Sequence, residues 1–325
     1  MGKYTIIKFT NLTPLHIGTG KENYDFSASD LHSDTLSSAL ASIRAQQGKN
    51  DDIPDFLNSF SISSAFPFYE KQYFFPKVQG IINAEIKNKE EHEYRKKLKS
   101  IKFIESSLWQ KLIQGKSIII EEDQLQNTFL LSTKNKLDFI YKSQVNERVS
   151  VPRNGEDAAP FFFDWKFFNE KAGLFCLTDA SDALLNELKS LFSILGEVGL
   201  GTDKNIGGGK FEIETDTITI EDVSDANATM LLSLFVPTEN ELQQLNLQNS
   251  KYELVLRGGY IAGSREETLR HLRKKSIYMF GVGSVFPCTI ELQGKIVDLK
   301  PDWNDSLMHS VYRSGKPFNI PIKVQ

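Results

Sequence analysis

GEVGLGTDKNIGGGKFEIE, residues 196–214, sets six glycines (Gly196, Gly199, Gly201, Gly207, Gly208 and Gly209) within fourteen positions. The preceding segment, ALLNELKSLFSILG, carries Leu184, Leu185, Leu188, Leu191, Phe192 and Leu195 at helical spacing. The residues after it, Phe211, Ile213, Ile218 and Ile220, read as extended. The order is therefore helix, glycine loop, strand. Mononucleotide loops run the other way, from strand to helix, so that phosphate rests on a helix N-terminus. A Walker loop is excluded on that order, and Phe211 stands where Ser or Thr would bind magnesium. The G-x-G-x-x-G fingerprint fails for the same reason. What remains is an amide-rich loop whose N–H groups can approach a polymer backbone without side chains in the way. The plainer alternative is a long surface turn with no ligand.

The bulk composition agrees with a soluble globular chain. With 325 residues it is long enough for two modest domains. Hydrophobic content is 40% and charged content 25%, both ordinary, while 23 phenylalanines stand out. No apolar stretch is long enough to span a bilayer and YTIIKFTNL reads as a strand, so a cytoplasmic location is expected. Cys176 and Cys288 lack a C-x-x-C partner, which argues against zinc or a disulfide framework. The net charge of −4 excludes a protein that coats nucleic acid over its whole surface. Positive charge is nevertheless concentrated. Residues 257–275 hold Arg257, Arg265, Arg270, Arg273, Lys274 and Lys275 against Glu266 and Glu267, and residues 134–153 hold five cations against two acids.

Along the chain, Tyr4–Phe9 alternates as a strand and runs into TPLHIGTG. A helix follows, capped by Ser33 or Asp34, with Leu36, Ala39, Leu40 and Ile43 on its apolar face. Residues 61–68 and 72–78 read as strands, and residues 84–114 as a mixed-charge helical region. Its cluster of Arg95, Lys96, Lys97, Lys99 and Lys102 has the look of a solvated helix face. Residues 137–165 read as a projecting β-hairpin around PRNGEDAAP, with Arg148 and Arg153 near the tip and Phe161–Phe163 near the base. After a polar stretch at 221–227 a second unit opens as strand, helix, strand, like the first. The pattern fits an α+β protein of two ferredoxin-like sandwich domains, 1–220 and 221–325, packed without a flexible linker.

Four pieces in one order, LHIGTG, DLHSDTLSSAL, NERVSVPRNG and GEVGLGTDKNIGGGKFEIE, resemble the RAMP superfamily of CRISPR proteins. The later runs KSIYMFGVGSVFP, GKIVDL and VYRSGKPFNIPI are similar to the branch that supplies the fourth subunit of the type III-A (Csm) interference complex. The resemblance extends over nearly the whole chain. It implies tandem ferredoxin-like (RRM-like) domains with a thumb-like hairpin and a glycine-rich loop. It also implies a non-catalytic subunit that caps the repeat-derived 5′ handle of the guide RNA (crRNA). The implied partners are that RNA, a large polymerase-like subunit and a backbone RAMP subunit.

By position, the resemblance carries RNA contact onto Gly199, Gly201, Lys204, Asn205, Gly207, Gly208, Gly209 and Lys210 of the loop. On the hairpin it carries it onto Asn146, Arg148, Val149, Val151 and Arg153. It extends more loosely to the turns bearing His16, Gly18 and Gly20 and bearing Gly281, Gly283 and Ser284, whose glycines serve architecture as often as ligands. The residue types suit an unpaired strand, which needs amides and cations for phosphates and apolar surfaces for splayed bases.

The competing reading is a metal-free guide-processing endoribonuclease with His32 as general base. HSD at 32–34 lacks the further ligands of a metal-dependent phosphohydrolase, and His92, His271 and His309 add none at useful spacing. No metal or cofactor is expected. A third reading is a scaffold whose glycine loops touch only protein.

Overall fold

The computed structural model describes every residue except Met1, 19–23, Ser29, Ile81, 152–156, 262, 263, 265, 288, 289, 304, 305 and Gln325. Of the expected site residues, Gly20 and Arg153 lie outside the described residues.

Strand β1 (Gly2–Thr10) lies one strand in from the edge of the main sheet and feeds both of its faces. Successive strand side chains point to opposite faces, so Ile6 enters one core while Ile7 and Phe9 enter another. β1 pairs antiparallel with β11 (Ala172–Thr178) on one side and with β12 (Glu212–Ile220) on the other. β11 pairs in turn with β2 (Phe66–Tyr69), and β2 with β3 (Gln72–Pro76). Beyond β3 lie β5 (Phe103–Glu105), β8 (Phe129–Leu130) and β7 (Leu125–Gln126), which complete an eight-stranded sheet in the order β12-β1-β11-β2-β3-β5-β8-β7. The β5–β8 pair is parallel, so the sheet is mixed.

Two helices cover the Ile7 face. α1 (Ser33–Gln46) contributes Leu36, Leu40 and Ile43, and α5 (Asp182–Val198) contributes Leu188, Leu191, Phe192 and Leu195. Both sets follow the spacing legible in the sequence. The Ile6 face is covered differently, by α3 (Glu91–Ser100), α4 (Ser106–Ile113) and the pair β4 (Ala84–Ile86) and β6 (Ile118–Ile120). It also meets a three-stranded sheet, β16-β13-β19, made of Val285–Phe286, Ala228–Leu231 and Asn319–Ile322. Trp109 of α4 lies fully buried against Phe75, with ring centroids 4.2 Å apart, and its indole N–H donates to the Pro76 carbonyl at 3.1 Å. Met230, Ile320 and Ile322 share that cluster, so residues beyond 220 complete the first half's core.

The second half adds a cluster of its own around Phe235, Phe280 and Phe286. It holds α6 (Glu239–Gln244), the hairpin of β14 (Leu254–Arg257) with β15 (Ile277–Phe280), and the pair β17 (Ile296–Asp298) with β18 (Tyr312–Ser314). It is joined to the first half by polar contacts as well as apolar ones. The Ser33 hydroxyl accepts from the Leu234 amide at 2.9 Å, and the fully buried Asp34 carboxylate takes Arg257 at 2.8 Å together with Arg313.

Three local expectations are corrected. Residues 84–114 form not one helical region but α3 and α4 separated by β5, because Phe103–Glu105 pair with β3. A short helix α2 (Ile53–Asn58), with Pro54 in its first turn, was not foreseen. Asp34 does not cap α1: His32 occupies the N-cap, while Asp34 sits in the first turn and answers two arginines. The charged face of α3 is solvated as expected; among its described side chains Tyr94 and Leu98 turn inward. No helix among the described residues is long and apolar enough to cross a membrane.

Because Trp109 fills the junction where the sheet meets residues from both halves, Trp109→Ala is expected to lower unfolding free energy by about 3–5 kcal/mol. Urea unfolding followed by circular dichroism measures this; a loss below about 1 kcal/mol would show that the junction is not part of the load on this ring.

Candidate nucleic-acid interface

The glycine loop follows α5 directly, and its shape comes from main chain touching main chain. Gly199 ends the helix at φ +90°, its amide donating to the Leu195 carbonyl at 2.7 Å. Thr202 donates to the His16 carbonyl at 3.1 Å, Gly209 to Pro14 at 2.9 Å and Leu200 to Gly209 at 2.8 Å. A Cβ placed on Gly201 would lie 2.1 Å from the His16 carbonyl oxygen, and one on Gly209 1.9 Å from that of Leu200. Neither neighbour can yield, because both are backbone.

The expectation that loop amides stand ready for a ligand is therefore corrected in detail. The N–H groups of Gly207, Gly208 and Gly209 donate to Lys204, Asp203 and Pro14 carbonyls, and that of Lys210 to the Thr13 hydroxyl at 2.7 Å. Thr13 answers by donating to the Gly207 carbonyl at 2.8 Å. These glycines allow close approach within the protein. The surface left for a ligand is the crest, where Lys204, Asn205, Ile206 and Lys210 are exposed. Crowding around the Lys204 ammonium desolvates it and lowers its pKa.

The hairpin expected at 137–165 is β9 (Tyr141–Ser150) paired with β10 (Ala159–Phe168). It docks on the loop through Trp165 and Arg148. Trp165 lies over Gly208, where a Cβ would come within 2.6 Å of the indole. Arg148 pairs with Asp203. The Arg148 guanidinium also sits 4.3 Å from the Phe163 ring centroid and 5.3 Å from that of Trp165, a cation–π position. The register sets Phe161 opposite Arg148 and Phe163 opposite Asn146, so the triple phenylalanine lies beside Arg148, not at the base as expected. Strand alternation puts Asn146 and Arg148 on the loop side, with Val145, Val149 and Val151 exposed on the opposite side. Phe162 is exposed too.

Beneath the loop lies a polar cluster. His16 is fully buried, its Nδ1 2.8 Å from the Asp164 carbonyl and its ring 4.4 Å from Phe163. Asp164 accepts from the Ser27 amide at 3.0 Å. His16 Nε2, Asp164 Oδ1 and Thr202 Oγ1 are buried without hydrogen-bond partners among the described residues. Lys166 is pushed down to about 8 by burial, its ammonium donating to the Ala28 carbonyl at 2.5 Å. Gly18 is exposed beside Thr202.

The second glycine turn does not join this assembly. Gly281, Gly283 and Ser284 are buried, the amides of Gly281 and Gly283 donating to Glu253 and Leu231, and a Cβ on Gly283 would lie 2.5 Å from the Lys77 carbonyl oxygen. The turn is an internal joint and offers an RNA strand no surface, which corrects that expectation. Sequence reading missed Asp203, Thr13, Trp165 and Lys166. A lysine inside the apolar run FFFDWKFF was the available signal for the last.

His32 keeps part of its surface exposed, but its Nδ1 is shut off and unpartnered among the described residues. Desolvation, with Arg257 and Arg313 nearby, lowers it to about 4 against the opposing pull of Asp30. Among the described residues, no cluster of three or more His, Cys, Asp or Glu could hold a metal ion.

Residues 8–212 match the model of the RAMP superfamily, and residues 224–322 that of the CRISPR Csm4 C-terminal domain. The Csm4 proteins of Streptococcus thermophilus and Mycobacterium tuberculosis are 27% and 25% identical to the chain, over 99% and 93% of both partners in each comparison. Among solved structures, a chain of a Csm3–Csm4 subcomplex of the type III-A CRISPR–Cas interference complex is similar at a TM-score of 0.64 and 18% identity, covering 98% of this chain and 99% of that one. A chain of a Csm1–Csm4 cassette in complex with cA4 is similar at 0.61 and 18%, covering 100% and 99%.

Two predictions follow from the geometry. Gly207 has φ +88° but open space around its Cβ position, whereas Gly209 combines φ +67° with the Leu200 clash. Thermal unfolding should show Gly207→Ala costing about 1 kcal/mol and Gly209→Ala about 3 kcal/mol; equal losses would refute the close-approach account. For His32, the unfolded chain takes a proton near 6.5 and the folded one only near about 4, so stability falls as pH drops through that window. Denaturant titrations across it should give His32→Gln a shallower fall than wild type; parallel curves would mean the ring is not held neutral.

Proposed function

Because this chain belongs to the RAMP superfamily, whose model spans residues 8–212, we propose that it is a non-catalytic guide-RNA-binding subunit of a type III-A CRISPR (Csm) effector complex. In this reading it caps the repeat-derived 5′ handle of the guide and bridges the large polymerase-like subunit to the backbone subunits. The Csm4 names of its relatives support the assignment to the complex. The solved Csm4 structures pair that protein with Csm1 and with Csm3, and the bridging role is carried over from those pairings. The RAMP reading also favours a ferredoxin-like first domain at 1–220, supported by β12-β1-β11-β2 with α1 and α5. A second such domain at 221–325, sharing the first one's core, completes the proposal.

One arrangement carries the RNA reading: Arg148, stacked over Phe163 and Trp165, reaches the crest where Lys204 and Lys210 are exposed. A strand passing over that crest would place phosphates on the two lysines and Arg148, and where it crosses the hairpin to the opposite face it would lay bases against the exposed Val149, Val151 and Phe162. The pairing of Arg148 with Asp203 positions the guanidinium before RNA arrives. Apolar residues exposed on the β14–β15 hairpin, Leu254, Leu256 and Tyr278, supply a surface that a neighbouring subunit would cover.

Fluorescence anisotropy with the handle RNA that copurifies with the complex tests this reading across a range of salt. Each phosphate contact to a single strand contributes a slope of about −0.7 in log K against log salt, so Lys204→Ala with Lys210→Ala should flatten the slope by about 1.4. An unchanged slope would sink the assignment of the crest. The endoribonuclease reading is checked separately by incubating labelled repeat RNA with wild type and His32→Ala. An imidazole that takes up a proton only near about 4 is a weak base, and with its Nδ1 closed off this favours no cutting by either protein.

A further inference from the structure

On the loop side of the β9–β10 hairpin, a ring from outside the hairpin joins the packed aromatics. Tyr24 lies parallel to Phe163, their planes 14° and their centroids 6.0 Å apart, and it meets Phe161 edge-on at 6.1 Å. Phe161 and Phe163 stand opposite Arg148 and Asn146 in the register, so all four occupy the hairpin face turned toward the glycine loop. Phe163 is the centre of the group. Its centroid stands 4.4 Å from that of His16, 4.9 Å from that of Trp165 and 4.3 Å from the Arg148 guanidinium carbon.

Tyr24 differs from these neighbours in facing water. It is 46% exposed, against 2% for Phe163 and 6% for Trp165. Its hydroxyl has no hydrogen-bond partner among the described residues, and the main chain fixes it instead. The Asp164 amide donates to the Tyr24 carbonyl at 2.9 Å, and the Asp164 carboxylate accepts from the Ser27 amide at 3.0 Å, so one residue of β10 holds the segment at two points. A ring held in this way loses little freedom when something flat is laid on it. Burial alone does not account for the placement, because a ring that served only to cover Phe163 would be more stable with more of its own surface out of water.

Position points to what the open face takes. Arg148 and Tyr24 are both neighbours of Phe163, at 4.3 Å and 6.0 Å from its centroid, so a phosphate held at the one and a base lying on the other fall within one short stretch of strand. Each unpaired base of a single-stranded RNA presents a π face that aromatic side chains accept, whereas its phosphates go to cations. Val149 and Val151 lie on the other face of the hairpin, so Tyr24 offers an exposed ring on the side where the crest cations stand.

We propose that Tyr24, backed by Phe163 and edged by Phe161, is a stacking shelf for one unpaired base of the guide handle and sets which nucleotide lies beside Arg148. The shelf rests on the handle reading and adds to it a base-binding residue that neither the cations nor the glycine loop supplies.

The test uses the full chain and the fluorescein-labelled handle RNA that copurifies with the complex, together with a set of the same RNA in which each member lacks one base. Anisotropy should show Tyr24→Ala binding the intact RNA about tenfold more weakly, with Tyr24→Phe and Tyr24→Trp close to wild type. The slope of log K against log salt should be the same for wild type and Tyr24→Ala, because a tyrosine releases no counterion. At one position of the handle, and not at its neighbours, removing the base should weaken wild type about tenfold and Tyr24→Ala no further. Wild-type affinity in Tyr24→Ala overturns the shelf. A loss in Tyr24→Phe equal to that in Tyr24→Ala assigns the contact to the hydroxyl and also overturns it. So does a Tyr24→Ala penalty that persists at every abasic position, the mark of a ring that only supports Phe163. The shelf and the crest fail separately. If the Lys204 and Lys210 substitutions flatten the salt slope while no abasic position couples to Tyr24, the shelf falls and the crest stands; if the slope is unchanged and one position couples, the crest falls and the shelf stands.

Discussion

The approach of the glycine loop to residues 13–16 is closer than any side chain permits, and the rest of the candidate interface hangs on it. With the Gly201 and Gly209 positions pressed against the His16 and Leu200 carbonyls, the loop has one way to lie. That path presents Gly208 flat to Trp165 and turns Asp203 up to meet Arg148. Moving the loop outward by the width of a methyl group would lift Trp165 and separate the ion pair. The hairpin would then be held on the body through the Leu15–Lys166 bridge and the hydrogen bonds of Asp164 and Lys166 to His16, Ser27 and Ala28. A single-stranded ligand has little shape of its own, so a fixed surface reduces the ordering that binding must impose.

The same economy joins the two halves. Residues beyond 220 bury Met230, Ile320 and Ile322 on the sheet face opposite α1 and α5, while Arg257 and Arg313 cross to Asp34 on α1. Apolar contact of this kind stabilises without dictating direction. The buried carboxylate adds direction, because a slip of either arginine leaves Asp34 charged and unpaired, a loss of about 3–5 kcal/mol.

Much of this was legible before any coordinates. α5 and the strand after it follow from Leu188, Leu191, Leu195 and Ile213, because periodic burial is a local property. The hairpin followed from two extended runs flanking a turn-rich segment. What could not be read was pairing across long separations. Asp34 looked like a helix cap until Arg257 and Arg313, more than two hundred residues away, were seen to meet it. The glycine run looked like open amides because sequence does not say that Pro14 and Thr13 will occupy them. Phe161–Phe163 were placed at the wrong end of the hairpin because the register depends on where the turn closes, and the residues around 152–156 gave no fixed length for it.

Arg148 shows how a site can be ready for RNA and still satisfied without it. Paired with Asp203 and lying over two aromatic rings, it has little to gain from one more anion, since a phosphate would compete with a carboxylate already in place. Lys204 and Lys210 differ, because among the described residues neither has a carboxylate partner. Under the proposed RNA reading the lysines would supply most of the electrostatic gain, through counterions released when a strand is bound. Arg148 would instead limit where the strand can run, because its planar group is fixed against Phe163 and Trp165. Affinity and alignment would thus be divided between two kinds of cation, those on the loop crest and a stacked one on the hairpin.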